Sequence, residues 1–165
     1  MLQPTRRRTW APRGQTPVQY AWDRHDRLSA ISAISVSPRR HRLGLQYQLQ
    51  RRNVRAEDLV PFLCELHRRA ARRVILVWDR SQPHRKAAKT LLAKFRWLRV
   101  EWLPAYAPDL DPCEECWNHA KYSDLANFIP ASLEQLEQAV AKSLGQQRRN
   151  PGLLRSFFQF AGLEL

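Results

Sequence analysis

A few side chains in this 165-residue sequence stand where their type and spacing could do chemistry. Asp79 closes the apolar run Val74-Ile75-Leu76-Val77-Trp78. It therefore falls at the carboxyl end of a strand, where open α/β sheets bind ligands. A turn or helix-capping aspartate would occupy the same place, so position alone does not decide between the two. His84, five residues on, reads by itself as a first-turn helix residue. Glu114 and Glu115 follow Asp111-Pro112 in the first turn of a helix, where the dipole stabilises a carboxylate whether or not it acts. Glu115 is expected to be the more solvent-directed of the two. Cys113, Cys116 and His119 are spaced like metal ligands or a redox pair. A structural zinc site takes four ligands, however, and no second Cys/His pair is evident. Both cysteines also fall on the apolar stripe of their helix, where free Cys acts as a small hydrophobe.

Periodicity gives the elements that must position these groups. Residues 1–17 are rich in Arg, Pro and Gly and read as an irregular basic leader. Val18–Trp22, Leu28–Val36 and Leu43–Leu49 read as antiparallel strands, with the polar WDRHDR stretch joining the first two. Leu59, Phe62, Leu63 and Leu66 then fall at i, i+3, i+4 and i+7, a helix over 56–69 that tolerates Pro61 only near its first turn. Val74–Trp78 has no alternation and reads as a central strand buried on both faces. Pro83 opens a helix with Ala87, Ala88, Leu91, Leu92 and Phe95 inward and Arg85, Lys86, Lys89 and Lys94 outward. Leu98, Val100 and Trp102 alternate as a more exposed strand. Asp111 caps the helix whose buried stripe is Cys113, Cys116, Trp117 and Ala120. Ser132 with Gln135 forms a capping box ahead of an inward face of Leu133, Leu136, Val140 and Leu144. The order is α/β, with an antiparallel half and a parallel half.

The balance of 28 Lys+Arg against 15 Asp+Glu leaves a net charge of +13, a field that attracts polyanions. Nucleic acid is the expected partner. A membrane surface is disfavoured, because the basic residues come in short clusters and no single amphipathic helix collects them. No apolar run approaches the ~20 residues that cross a bilayer. Three cysteines without a secretory-type start exclude a disulfide framework and place the chain in a reducing, cytoplasmic compartment. At 44% hydrophobic residues, with six Trp and six Phe, the chain can bury a core.

The segments VILVWDRSQPH and WLPAYAPDLDPCEECWNHAK resemble, in order, the two C-terminal motifs of DDE transposases of the mariner superfamily, in the bacterial insertion-sequence branch called the six-thirty group. That family has a hydrophobic strand ending in Asp with a His soon after, here Asp79 and His84. It also has a Leu-Pro-x-Tyr-x-Pro-x-Leu-Asn-Pro-x-Glu-x-x-Trp run, here Leu103 to Trp117 with Glu114 as the acid. The 34 residues between Asp79 and Glu114 match the family's spacing, and RRTWAPRGQTP is similar to the segment after its first strand. The resemblance implies a ribonuclease-H-like mixed sheet with flanking helices. It also implies Mg²⁺-dependent strand cleavage and transfer in DNA transposition, with Asp79 and Glu114 as ligands of a two-metal site.

This chain departs from the pattern in three places. Arg80 and Asp111 stand where Asn is usual, and both are taken as neighbours of the active site along with His84. No acid precedes Asp23, so the family's first catalytic Asp, its central first strand and the helix-turn-helix ahead of them are expected to be missing. Asp23 and Asp26 sit in a polar connection that favours turn chemistry and are poor substitutes. The chain is accordingly read as one N-terminally truncated catalytic domain over 1–165. It comprises the leader 1–17, a sheet-and-helix core 18–125 and a helical extension 131–165, with an incomplete metal site and no activity alone. Its expected partner is transposon-end DNA, bound in the intact family by a dimer, with Arg6, Arg7, Arg8, Arg13, Lys86 and Lys89 as contacts to nucleic acid. The competing reading is a non-catalytic protein that binds nucleic acid through phosphates without regard to sequence. A cellular nuclease of the same fold is disfavoured by the proline-rich run before Glu114.

Overall fold

The computed structural model describes residues 5–18, 20, 27–70, 73–105 and 107–165. The stretch containing Asp23 and Asp26 lies outside them, as do three residues of the strand expected over 18–22, whose remaining Val18 and Tyr20 are not in a strand.

Two antiparallel strands, β1 (Ser29–Val36) and β2 (Leu43–Gln50), pair from Ser29↔Gln50 to Val36↔Leu43. The connection closes when Arg40 N–H donates to the Ser37 carbonyl at 2.8 Å, with Arg40 itself at φ 56°. Apolar residues fill both faces of this hairpin. Ile31 and Ala33 join a cluster with Leu59, Phe62, Leu63, Ala87 and Leu91, whereas Ile34, Leu43, Leu45 and Tyr47 join a second with Cys116, Leu144, Leu154 and Phe157. The hairpin is thus the middle layer between two groups of helices.

Helix α1 (Ala56–Ala70) begins under an acidic clasp. Asp58 Oδ2 accepts from Arg55 N–H at 2.8 Å and from Arg52 Nη1 at 2.7 Å. Arg52 Nη2 pairs with Oδ1, and Gln50 Nε2 adds a bond at 3.3 Å. The Arg52 guanidinium and the Arg55 N–H together hold the Asp58 carboxyl well below its usual range. Pro61 lies just after the first turn, and the helix runs through it. An interior proline costs about 3 kcal/mol. Burial of Leu59, Phe62, Leu63 and Leu66, each worth roughly 1.5–3 kcal/mol, outweighs that.

Strand β3 (Val74–Trp78) pairs in parallel with β4 (Leu98–Trp102), register Val74↔Leu98, across the helix α2 (Gln82–Lys94). Among the described residues the two pairs are separate two-stranded sheets. Val74, Leu76 and Trp78 pack onto the α1/α2 cluster, but Ile75 and Val77 on the other face are 66% and 57% exposed. This corrects the expectation of a strand covered on both faces. A continuous apolar run says that both faces suit burial, and the helices that could cover the second face lie over β2 instead. Leu92, expected inward, is likewise half exposed.

Three further helices, α3 (Pro112–His119), α4 (Leu133–Arg148) and α5 (Pro151–Phe160), build the second layer. Ser132 Oγ accepts from Gln135 N–H, as the capping box requires. On α4 the buried residues are Ser143, Leu144 and Gln147, while Leu133, Leu136 and Val140 are half-buried. Helix α5 starts at the cap Asn150 with Pro151 first, a start signal present in the sequence but not separated there from the extension 131–165. No helix among the described residues is long and apolar enough to cross a membrane.

Candidate active site

The turn from β3 into α2 sets one half of the site. Asp79 follows the last β3 residue, and its Oδ1 accepts from Ser81 N–H at 2.8 Å, a local aspartate turn. Ser81 is the cap of α2, and Pro83 in the first turn brings His84 back over the strand end. The His84 ring stacks on Trp78 with centroids 4.1 Å apart and planes 19° off parallel, and its Nδ1 faces Asp79 Oδ1. Partial burial pushes the Asp79 carboxyl up, but the Ser81 N–H and the His84 ring outweigh this and leave it below its ordinary value.

The start of α3 sets the other half. Asp111 caps the helix, Oδ1 accepting from Cys113 N–H at 2.9 Å, with Pro112 first in the helix. Burial raises the Asp111 carboxyl, and the charge of Asp79 adds to the rise. Burial likewise raises Glu114; Asp111 and Asp79 both push it further up, with Lys121 opposing. Asp79, Asp111 and Glu114 therefore share one electrostatic neighbourhood between the end of β3 and the first turn of α3. Glu114 is the exposed member of the Glu114/Glu115 pair. Glu115, which the helical wheel directs to solvent, is half-buried and folds along the helix to accept from Asn118 Nδ2 at 3.1 Å.

Not every expected residue joins this neighbourhood. Arg80 donates from Nε to the Leu103 carbonyl at 3.2 Å, stitching the Asp79 turn to the loop after β4. Arg7 is bound to its own chain: Nη1 donates to the Tyr122 carbonyl at 2.6 Å, and its backbone makes two bonds with the Asn127 side chain. Arg6, Arg8 and Arg13 on the leader and Lys86 and Lys89 on α2 are exposed. Burial pushes the Cys113 thiol up to about 12 and raises that of Cys116 as well, and Cys116 is packed in the second apolar cluster.

The family model for DDE superfamily endonucleases matches residues 1–137. The chain belongs to that family. Curated proteins give no match in sequence. Among solved structures, the endonuclease-family chain is similar to the Mos1 strand transfer complex, with a TM-score of 0.52 and 19% identity over 99% of this chain and 52% of that one. It is similar also to the Mos1 mariner paired end complex with Mn, at a TM-score of 0.57 and 19% identity over 97% and 48%. A third similar structure is the Mos1 transposase paired-end complex with the left transposon end, with a TM-score of 0.51, 19% identity and coverage of 98% and 52%. The chain spans about half the length of each of these transposase chains. The likeness is one of fold, a mixed α/β arrangement of the ribonuclease-H-like kind.

Endonucleases of this family typically depend on a divalent metal. The donor set here suits a hard cation in kind, being carboxylate oxygens whose mutual repulsion a cation would relieve. In number it falls short: among the described residues no three His, Cys, Asp or Glu side chains converge to hold an ion. Sequence reading missed Trp78 and Ser81 as partners of the site. An aromatic directly before the strand-end Asp and a Ser two residues after it were the available signals.

Proposed function

We propose that this chain is the catalytic portion of a DNA transposase of the bacterial insertion-sequence branch, acting on transposon-end DNA in the cytoplasm, in the intact protein as a dimer. The observation that carries this reading is the match to the DDE endonuclease family over residues 1–137, with Asp79 at the carboxyl end of β3 and Glu114 in the first turn of α3. Asp79 and Glu114 would hold Mg²⁺, which when bound activates the attacking oxygen and stabilises the leaving oxygen of a phosphodiester displacement. Asp79 is aimed by the Ser81 turn, and Glu114 is presented on an exposed helix start. Exposed Arg6, Arg8, Arg13, Lys86 and Lys89 would hold the phosphate backbone.

In this reading two carboxylates are not enough, and a third comes from a further strand carrying the family's first Asp. The exposed Ile75 and Val77 on β3, and the separation of β3–β4 from β1–β2, support a place for such a strand. The chain alone then lacks nicking activity. The test is plasmid nicking with Mg²⁺ by this chain and by a version extended with the upstream-encoded strand. The expected result is activity only in the extended protein, lost in Asp79→Asn and Glu114→Gln. Robust nicking by the chain alone that Asp79→Asn abolishes would overturn the truncation. An inactive extended protein would favour the second reading, a non-catalytic protein that binds nucleic acid through its basic surface.

A further inference from the structure

We propose that Asn127 is a positioning residue that straps the basic leader onto the end of the α3 segment, with Arg7 as the anchor, so that Arg6 and Arg8 meet a nucleic-acid phosphate backbone already in place. The inference rests on the reading of Arg6 and Arg8 as phosphate contacts and adds the group that holds them.

Helix α3 runs on into one wider π turn, Ala120–Asp124, which closes when Leu125 N–H donates to the Ala120 carbonyl at 2.9 Å. A helix end leaves backbone groups without helical partners, and here the leader supplies them. Arg7 Nη1 donates to the Tyr122 carbonyl at 2.6 Å, and Asn127 N–H donates to the Thr5 carbonyl at 2.9 Å. The Asn127 amide then grips both backbone groups of Arg7: Oδ1 accepts from the Arg7 N–H at 2.8 Å, and Nδ2 donates to the Arg7 carbonyl at 3.1 Å. Asn127 itself sits at φ 59°, a left-handed conformation that asparagine adopts more readily than most residues.

Arg7 and Asn127 are 120 residues apart, so these bonds are tertiary and not local turn chemistry. With its guanidinium engaged on Tyr122, Arg7 serves its own chain, whereas Arg6 and Arg8 on either side of it are exposed. A segment already held in its bound conformation loses less entropy when a partner docks. Fixing the backbone of a single residue corresponds to a factor of roughly 5–30 in an equilibrium constant. The strap therefore strengthens binding to phosphate without adding a contact to it, and its removal weakens affinity while the number of phosphates neutralised, which the salt slope reports, stays the same.

Asn127→Gly removes the amide clasp and keeps the left-handed backbone without strain; Arg7→Gln removes the anchor. Hydrogen exchange of the Arg7 N–H, followed by NMR on the full chain, reports the strap without nucleic acid. Fluorescence anisotropy with a duplex of unrelated sequence across a salt series reports binding. In Asn127→Gly the Arg7 N–H is expected to lose its protection. Both variants are expected to bind roughly 10-fold more weakly at every salt concentration with an unchanged salt slope, whereas Arg6→Gln with Arg8→Gln lowers the slope by about two. Equal exchange in wild type and Asn127→Gly overturns the strap, and faster exchange with unchanged affinity overturns its positioning role. A slope lowered by about one in Arg7→Gln makes Arg7 a phosphate contact and overturns the anchor. An unchanged slope in the Arg6→Gln, Arg8→Gln chain overturns the phosphate reading beneath the proposal, and the positioning role with it, whatever the exchange shows.

Discussion

Gln147 on α4 donates from Nε2 to the carbonyl of Cys116 on α3 at 3.2 Å, a buried tie between the helix that carries Glu114 and the helix that backs it. The same nitrogen reaches Ser143 Oγ, which in turn donates to Asp124 Oδ2 at 2.6 Å. Gln147 Oε1 is buried with no partner among the described residues.

That orphaned oxygen makes the cost of replacing Gln147 depend on shape more than polarity. An unsatisfied buried acceptor costs about 1–3 kcal/mol, which offsets the two bonds from Nε2. Gln147→Leu is expected to change stability by less than about 1 kcal/mol, whereas Gln147→Ala opens a cavity and costs about 2–4 kcal/mol. Urea denaturation of the two variants checks this; equal losses would contradict it.

The Asp58 clasp gives stability a dependence on acid. Its folded carboxyl lies below the unfolded value of about 3.9. The stabilisation is therefore fully present above that value and is lost as pH falls through the depressed native one. Asp58→Ala should cost about 2 kcal/mol at pH 7, in line with hydrogen bonds to a charged group, and the difference from wild type should shrink as the melts are moved towards pH 2.

The acids of the candidate site behave in the opposite sense. Burial and mutual charge raise Asp111 and Glu114 in the folded state. Their contribution is favourable while they are protonated and is lost as pH rises through the raised values. Asp111→Asn keeps a good cap and removes a repelling charge. Its Tm should exceed the wild type's at pH 7, and the gain should disappear near pH 3. Asp111→Ala, which removes the cap, should not show the gain.

Exposed Ile75 and Val77 make one face of β3 adhesive. Ile75→Lys with Val77→Glu is expected to reduce concentration-dependent self-association in sedimentation velocity while leaving the Tm nearly unchanged, because neither side chain is buried. A large drop in Tm would show that the face is covered within the chain.

Binding to duplexes of unrelated sequence should be steeply salt-dependent. Five phosphate contacts from Arg6, Arg8, Arg13, Lys86 and Lys89, at a slope near 0.9 each, lower affinity by roughly 500-fold between about 50 and 200 mM salt. Removing Lys86 and Lys89 should reduce the slope by about two, as measured by fluorescence anisotropy.

The sequence by itself determined most of the elements and which acids stand at their ends. Local signals were sufficient for this: alternation marked β1, β2 and β4, the 3.6-residue stripe marked α1 and α2, and Asp111-Pro112 and Ser132 with Gln135 marked two helix starts. The motifs around Asp79 and Glu114 single out these two acids from sequence alone. Tertiary structure alone decided what each face meets. The apolar run of β3 could not reveal that α3, α4 and α5 would cover β2 and leave Ile75 and Val77 in water. Nor could it reveal that Trp78 and His84 would stack beside Asp79, or that buried Gln147 would tie α4 to α3. Periodicity records which way a side chain points along its own strand or helix. Burial, shared fields and orphaned polar atoms depend on residues distant in the chain, and only packing brings those together.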